Sequence, residues 1–125
     1  MTASLHKIER LHRKKQIERM FAGGARSFSL FPLRVIYMPM EDLSCEVSIL
    51  TSVSKRHFKH AVKRNRVKRQ IRESYRLNKS ILVDALKAKN MHLSIAFIYL
   101  SDELVSSAVI EDRIKVALHR IDERL

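Results

Sequence analysis

"AVKRNRVKRQIRE", residues 61–73, sets Lys63, Arg64, Arg66, Lys68, Arg69 and Arg72 around a single acid, Glu73. Its apolar residues decide how the stretch folds. Val67, Ile71 and Tyr75 step by four, and Asn78 follows on the same line. That spacing predicts a helix from about His57 to Asn78, with one stripe laid on a sheet. At about 100° per residue, Lys68, Arg72, Asn65, Arg76, Arg69 and Arg66 share one arc of roughly half the circumference. The helix is thus held by one side and offers guanidinium forks on the other, and such forks grip phosphate oxygens bidentately. Asn65 adds a donor and an acceptor that can reach a base edge or a 2′-hydroxyl. A face that merely solubilises usually intersperses acids, because like charges at i,i+4 cost stability. Here the acids are nearly absent.

The neighbouring segments supply the sheet. Upstream, "EVSILTSVS" alternates, with Val47, Ile49, Thr51 and Val53 on one side and Glu46, Ser48, Ser52 and Ser54 on the other. "LRVIYMP" has the same strand spacing, Leu33, Val35 and Tyr37 against Arg34, Ile36 and Met38, and Pro39 closes it. The acidic "MEDLS" between these two strands reads as a hairpin loop. Earlier still, "KKQIERMFAGG" places Ile17, Met20 and Phe21 at helical spacing and stops at Gly23-Gly24. Downstream, "SILVDALKAK" is a short helical stretch, and "MHLSIAFIYL" is apolar on both faces, as a central covered strand would be. The last 25 residues read as a helix, with Ser101 as N-cap, Asp102 and Glu103 in the first turn, and Val109, Ile110, Ile114, Ala117, Leu118 and Ile121 buried. The order α-β-β-α-β-α predicts an α+β fold. It would be a two-layer α/β sandwich, with a mixed sheet of three or four strands and helices mainly on one face. The chain of 125 residues fits one domain over 1–125, with residues 1–10 a candidate flexible basic arm.

Net charge is +12, and it is clustered. Residues 1–26 carry seven Lys/Arg against two acids, and residues 55–79 carry eleven against one. The rest of the chain is slightly acidic, so the two basic blocks form two binding surfaces or one surface made of both. The partner expected is a polyanion, nucleic acid before an anionic membrane. A membrane helix would need its bulky apolar face for lipid, and this helix needs that face for the core. No stretch is long and apolar enough to span a bilayer. The lone Cys45 suits a reducing compartment, and "MTASLHKIERLHRKK" lacks an apolar signal core, so a cytoplasmic location is expected. A DNA-binding basic region would continue into a heptad zipper. Here a strand follows instead. A ribosomal-type RNA-binding protein stays open on these residues alone.

"VSKRHFKHAVKRNRVKRQIRESYRLNK", residues 53–79, resembles the signature of the bacterial ribonuclease P protein component: a "VSK" strand end, then "AV-x-RNR-x-KR-x-x-R". "IERMFAGGARSF" is similar to that family's first helix. The resemblance implies the small protein subunit of a ribonucleoprotein endonuclease that removes the 5′ leader from precursor tRNA. The catalyst would be the RNA subunit, using Mg²⁺, with no cofactor bound by the protein itself. The protein would bind that RNA, contact the leader and favour metal binding, as a monomer with one copy per RNA. The implied fold contains a left-handed βαβ crossover, against the usual right-handed rule. Carried over by position, Arg64, Asn65, Arg66, Lys68, Arg69 and Arg72 face RNA, with Lys55 and Arg56 at the strand end and Lys63 and Arg76 on the same helix. Ile17, Phe21 and Tyr37 occupy the positions of a leader cleft between the first helix and the sheet. On spacing alone, core packing of an amphipathic helix is the favoured reading of Ile17 and Phe21, while Tyr37, on a strand, stays open between the two. The chain departs from the family pattern at residues 57–60 and at Ile17, where many members carry Phe.

The six histidines are scattered, and no pair sits in a zinc-like arrangement with Cys45. His57 and His60 flank the basic cluster as candidate phosphate contacts when protonated. A nuclease acting without RNA would need clustered acids for metal, and the basic blocks offer only Glu9, Glu18 and Glu73. No catalytic residue and no metal site is expected in the protein.

Overall fold

A computed structural model describes residues 9–125. The arm expected over residues 1–10 lies, as far as residue 8, outside the described residues. The chain runs α1 (Lys14–Phe21), β1 (Arg26–Leu30), β2 (Leu33–Pro39), β3 (Val47–Val53), α2 (Ala61–Asn78), α3 (Ser80–Lys89), β4 (Leu93–Tyr99) and α4 (Ser107–Glu123). It is an α+β fold with one four-stranded sheet in the order β1-β2-β4-β3. The β1–β2 and β2–β4 pairs are antiparallel and β3–β4 is parallel. The parallel pair, joined through α2 and α3, is the βαβ unit to which the resemblance attaches a left-handed crossover.

The "MEDLS" loop is not a hairpin. β2 and β3 are not neighbours, because β4 lies between them. The reason is in β4 itself: six of its seven residues are buried, so it needs a partner strand on each edge and cover on both faces. One strand extends the expected order, and the short helical stretch expected at "SILVDALKAK" forms α3. β1 places Arg26, Phe28 and Leu30 opposite Tyr37, Val35 and Leu33 and supplies the fourth strand. α3 follows α2 after Lys79 and ends at Asn90, whose φ of 51° and N–H bonds to the Leu86 and Lys87 carbonyls form a left-handed cap.

Strand alternation sorts the core into two layers. On one face Leu33, Val35, Tyr37, Ile49, Ile95 and Phe97 pack against Val67, Ile71 and Tyr75 of α2 and Ile114 and Leu118 of α4. On the other, Ile36 and Ala96 pack with Leu11, Met20, Met40 and Leu43, so that α1 covers only part of the sheet. Each fully buried aliphatic side chain is worth about 1.5–3 kcal/mol of transfer free energy, and the larger layer fixes α2. Helix α4 starts later than Ser101. Its N-cap is Ser106, whose hydroxyl accepts from the Val109 N–H at 3.3 Å. Ser101 instead accepts from the Glu103 N–H at 3.0 Å in a separate turn. Between them Leu104 and Val105 lean on the core, which holds that segment out of the helix.

Candidate nucleic-acid interface

Helix α2 carries the expected buried stripe but begins at Ala61 rather than at about His57, because residues 54–60 form a turn that buries Phe58. Val67, Ile71 and Tyr75 are fully buried, and Ser74 joins them. The first turn carries no acid and contributes Lys63 and Arg64, which is adverse to the helix dipole and would be relieved by an external anion. The exposed side carries a stripe at intervals of four, three and four: Asn65, Arg69, Arg72 and Arg76. These four line one open groove of about 490 Å³ together with Arg10 and Glu73.

The electrostatics of the groove are one-sided. Among the described residues Glu73 is the only acid lining it, and Arg76 holds it through two bonds, Nε to Oε2 at 3.0 Å and Nη2 to Oε1 at 2.5 Å. That contact pushes the Glu73 carboxyl below its usual range, so the pair stays ionised. Arg72 is the opposite case. Partial burial, and then the charge of Arg10, lower its hold on its proton. Arg10 and Arg72 thus line one groove with their like charges opposed, and the carboxylate that shares the lining, Glu73, is taken up by Arg76. A phosphate placed there converts repulsion into charge-assisted hydrogen bonds.

The remaining basic residues of the motif divide. Arg66 and Lys63 are exposed on the flank of α2, and Lys68 is half-buried. Lys55 and Arg56 are exposed in the turn between β3 and α2. Arg64 does not face the groove. Its Nη1 donates to the Phe58 and Lys59 carbonyls, both at 2.9 Å. Arg64 lies three residues before Val67 and seven before Ile71, hence on the buried side of the helix, and it fastens the preceding turn. His57 is likewise engaged, its Nδ1 lying 2.6 Å from the Asp102 carboxylate. His60 is exposed. Among the described residues no three His, Cys, Asp or Glu side chains group as metal ligands.

The cleft residues also divide. Phe21 is 51 % exposed at the end of α1, and Ile17 is half-buried against the smaller core layer. Both are on the α1 side of the sheet. Tyr37 is not. It is 3 % exposed in the larger layer, edge-on to Phe28 with ring centroids 6.1 Å apart. Alternation along β2 turns it away from α1 and puts Arg34, Ile36 and Met38 on the α1 side. Both rows of β2 are largely apolar, so the sequence pattern does not tell which row α1 covers. Arg10 is the groove residue that motif reasoning missed. The basic N-terminal block was its only signal.

A family model described as "Ribonuclease P" matches residues 5–121. A curated relative named ribonuclease P protein component, from Porphyromonas gingivalis, is 43 % identical over 121 residues, 96 % of this chain and 88 % of the relative. Another of that name, from Chlorobaculum tepidum, is 38 % identical over 106 residues, 78 % of this chain and 68 % of its own. Among solved structures, the RNase P protein from Thermotoga maritima superposes with a TM-score of 0.71 at 20 % identity, covering 90 % of this chain and 96 % of its own. The Staphylococcus aureus RNase P protein gives 0.70 at 20 % identity, covering 90 % and 94 %. These two likenesses establish the fold.

Proposed function

The chain belongs to the ribonuclease P protein family, and from that premise we propose that its α2 groove grips the RNA subunit while the α1 side of the sheet holds the 5′ leader of precursor tRNA. As a member, it is the protein component of a ribonucleoprotein endoribonuclease that processes tRNA, and its partner is the ribonuclease P RNA. The competing ribosomal-type reading has no further ground. The observation that carries the proposal is the convergence of Arg10, Arg69 and Arg72 on one groove whose only acid among the described residues is already neutralised. Asn65, Arg66, Lys63 and Lys68 extend that surface along α2, and Lys55 and Arg56 extend it at the strand end. Arg64 supports it by fixing the turn. One continuous basic groove on one chain suits one protein per RNA.

The divalent ions of the reaction are proposed to sit with the RNA, because the groove's positive potential repels a free cation. The same potential lowers the phosphate repulsion between the folded RNA and its substrate, so less Mg²⁺ is needed to hold the two together. Among the described residues no helix is long and apolar enough to cross a membrane. The proposed location is the cytoplasm, where precursor tRNA is made.

On the leader side, Phe21 offers an exposed ring on the α1 side of the sheet, where Arg34 is also exposed and Ile98 is half-buried. Stacking a base on such a ring is worth about 1–3 kcal/mol and does not depend on base identity. In the reconstituted holoenzyme, Phe21→Ala should weaken binding of leader-bearing precursor roughly tenfold, at about 1.4 kcal/mol per decade, and leave mature tRNA binding unchanged. Equal losses on both substrates would remove Phe21 from the leader path. Tyr37→Phe, which changes a buried side chain on the other face, should not alter leader preference.

A further inference from the structure

Resting on the reading of the α2 groove as an RNA site, we propose that Arg10 is a further RNA-backbone contact and that the Glu9–Lys79 ion pair positions it. Arg10 belongs to a segment anchored on both sides. Before it, both carboxylate oxygens of Glu9 lie 3.1 Å from the Lys79 ammonium at the end of α2. The Glu9 and Lys79 side chains are only 10 % and 20 % exposed. After it, the Leu11 N–H donates to the Ile49 carbonyl at 2.7 Å, and the Leu11 side chain is buried with Met20 and Met40. Arg10 itself bridges to Ile49 as a short parallel extension of the sheet.

These anchors bring the N-terminal segment to the outer edge of β3 and put Arg10 in the same groove as Arg69 and Arg72. The placement is electrostatically adverse in the isolated protein. A free arginine near Arg72 would swing into solvent, where water screens it. The structure instead holds the Arg10 backbone at this edge with a buried ion pair at Glu9 and a backbone hydrogen bond at Leu11, so the side chain starts from a fixed point beside the groove. Such a pair contributes little net stability against an apolar alternative, because desolvation offsets the attraction. It does fix geometry. The geometry suits one phosphodiester held between two forks that come from segments about sixty residues apart in the chain.

The ligand class is thus the backbone of RNA, recognised by charge and spacing rather than by base. Arg10 would touch the RNA. Glu9 and Lys79 would act through it. This also resolves the two basic blocks of the sequence into one surface, at least at Arg10.

The experiment measures binding of the full chain to ribonuclease P RNA across a salt series, for wild type and for Arg69→Ala, Arg72→Ala, Arg10→Ala, Arg10→Lys, Arg10→Ala/Arg72→Ala, Glu9→Gln and Glu9→Gln/Arg10→Ala, with melting temperature recorded for each. Arg10→Ala should weaken binding about tenfold and flatten the salt slope by about one. Arg10→Lys should keep the slope but lose part of the affinity, since the ammonium lacks the fork. The double variant should lose less than the product of the single losses, because one phosphate is shared. In a Glu9→Gln background, Arg10→Ala should have a much smaller effect than in wild type. If Arg69→Ala weakens binding and Arg10→Ala does not, this inference fails and the groove reading stands. If neither does, the groove reading fails as well. Additive losses at Arg10 and Arg72 would put them on separate phosphates and overturn the shared clamp. An undiminished Arg10→Ala effect in the Glu9→Gln background would overturn the positioning role. The Arg10 variants alter an exposed side chain, so the main test survives even if Glu9→Gln destabilises the fold.

Discussion

Replacing Arg69 and Arg72 together with alanine is expected to lower affinity for ribonuclease P RNA by on the order of a hundredfold, since hydrogen bonds to charged groups are worth about 1.5–3 kcal/mol each. Both side chains leave the main core untouched. Arg69 is exposed, and Arg72 is half-buried beside Arg10. The folded protein gains nothing from the Arg10–Arg72 approach, because each charge disfavours the other. The melting temperature should therefore stay within a few degrees of wild type while the RNA affinity collapses. The slope of log affinity against log salt should flatten by about two in the double variant, one per phosphate contact removed. Equilibrium binding across a salt series, with a thermal melt of the same preparations, measures both quantities. A large drop in melting temperature would mean that these residues support the fold, and that the outer face of α2 was assigned to the wrong arc.

The complementary result is expected on the inner face. Ile71→Ala removes a fully buried side chain at the centre of the α2 stripe. Truncations of this kind cost about 2–5 kcal/mol, the lost transfer energy plus the cavity left behind. For a chain of this size the midpoint of thermal unfolding should fall by roughly 10 °C or more. Well below that midpoint, where the helix is still seated, RNA affinity should fall far less than in the Arg69/Arg72 double variant. The two variants together separate anchoring from gripping on one helix. An unchanged melting temperature for Ile71→Ala would contradict the packing of α2 on the sheet. So would an RNA defect as deep as that of the arginine pair at a temperature where the protein is fully folded.

The central helix was legible because its two faces differ in kind. Apolar residues at every fourth position and a nearly unbroken basic arc can be satisfied only by a helix pinned to a core and open to an anion. The place of β4 was legible for a similar reason: "LSIAFIY" leaves no row of side chains for water. The partners of β4 were less so. Loop chemistry around "MEDLS" suggested a hairpin, but which strand edges meet depends on how a doubly covered strand is satisfied, and that is a property of the whole sheet. Tyr37 shows the same limit within one strand. With Val35 and Ile36 both apolar, period two is visible but the side facing α1 is not. Ser101, with two acids behind it, reads as the helix start, yet the helix is capped at Ser106 because Leu104 and Val105 pack on the core between them. Arg64 fits the family's motif by position, yet its angle on the helix directs it to the Phe58 and Lys59 carbonyls. Arg10 carries no motif, and only the tertiary anchors at Glu9 and Leu11 bring it to the groove.

The central claim is that this chain works by supporting a catalytic RNA. Its most direct test is cleavage of precursor tRNA by ribonuclease P RNA at low Mg²⁺, with and without the protein. The expected result is that wild-type protein raises cleavage well above RNA alone, that the Arg69→Ala/Arg72→Ala protein at the same concentration does not, and that high Mg²⁺ narrows the difference. No gain from the wild-type protein at any Mg²⁺ concentration, or cleavage by the protein in the absence of RNA, would contradict it.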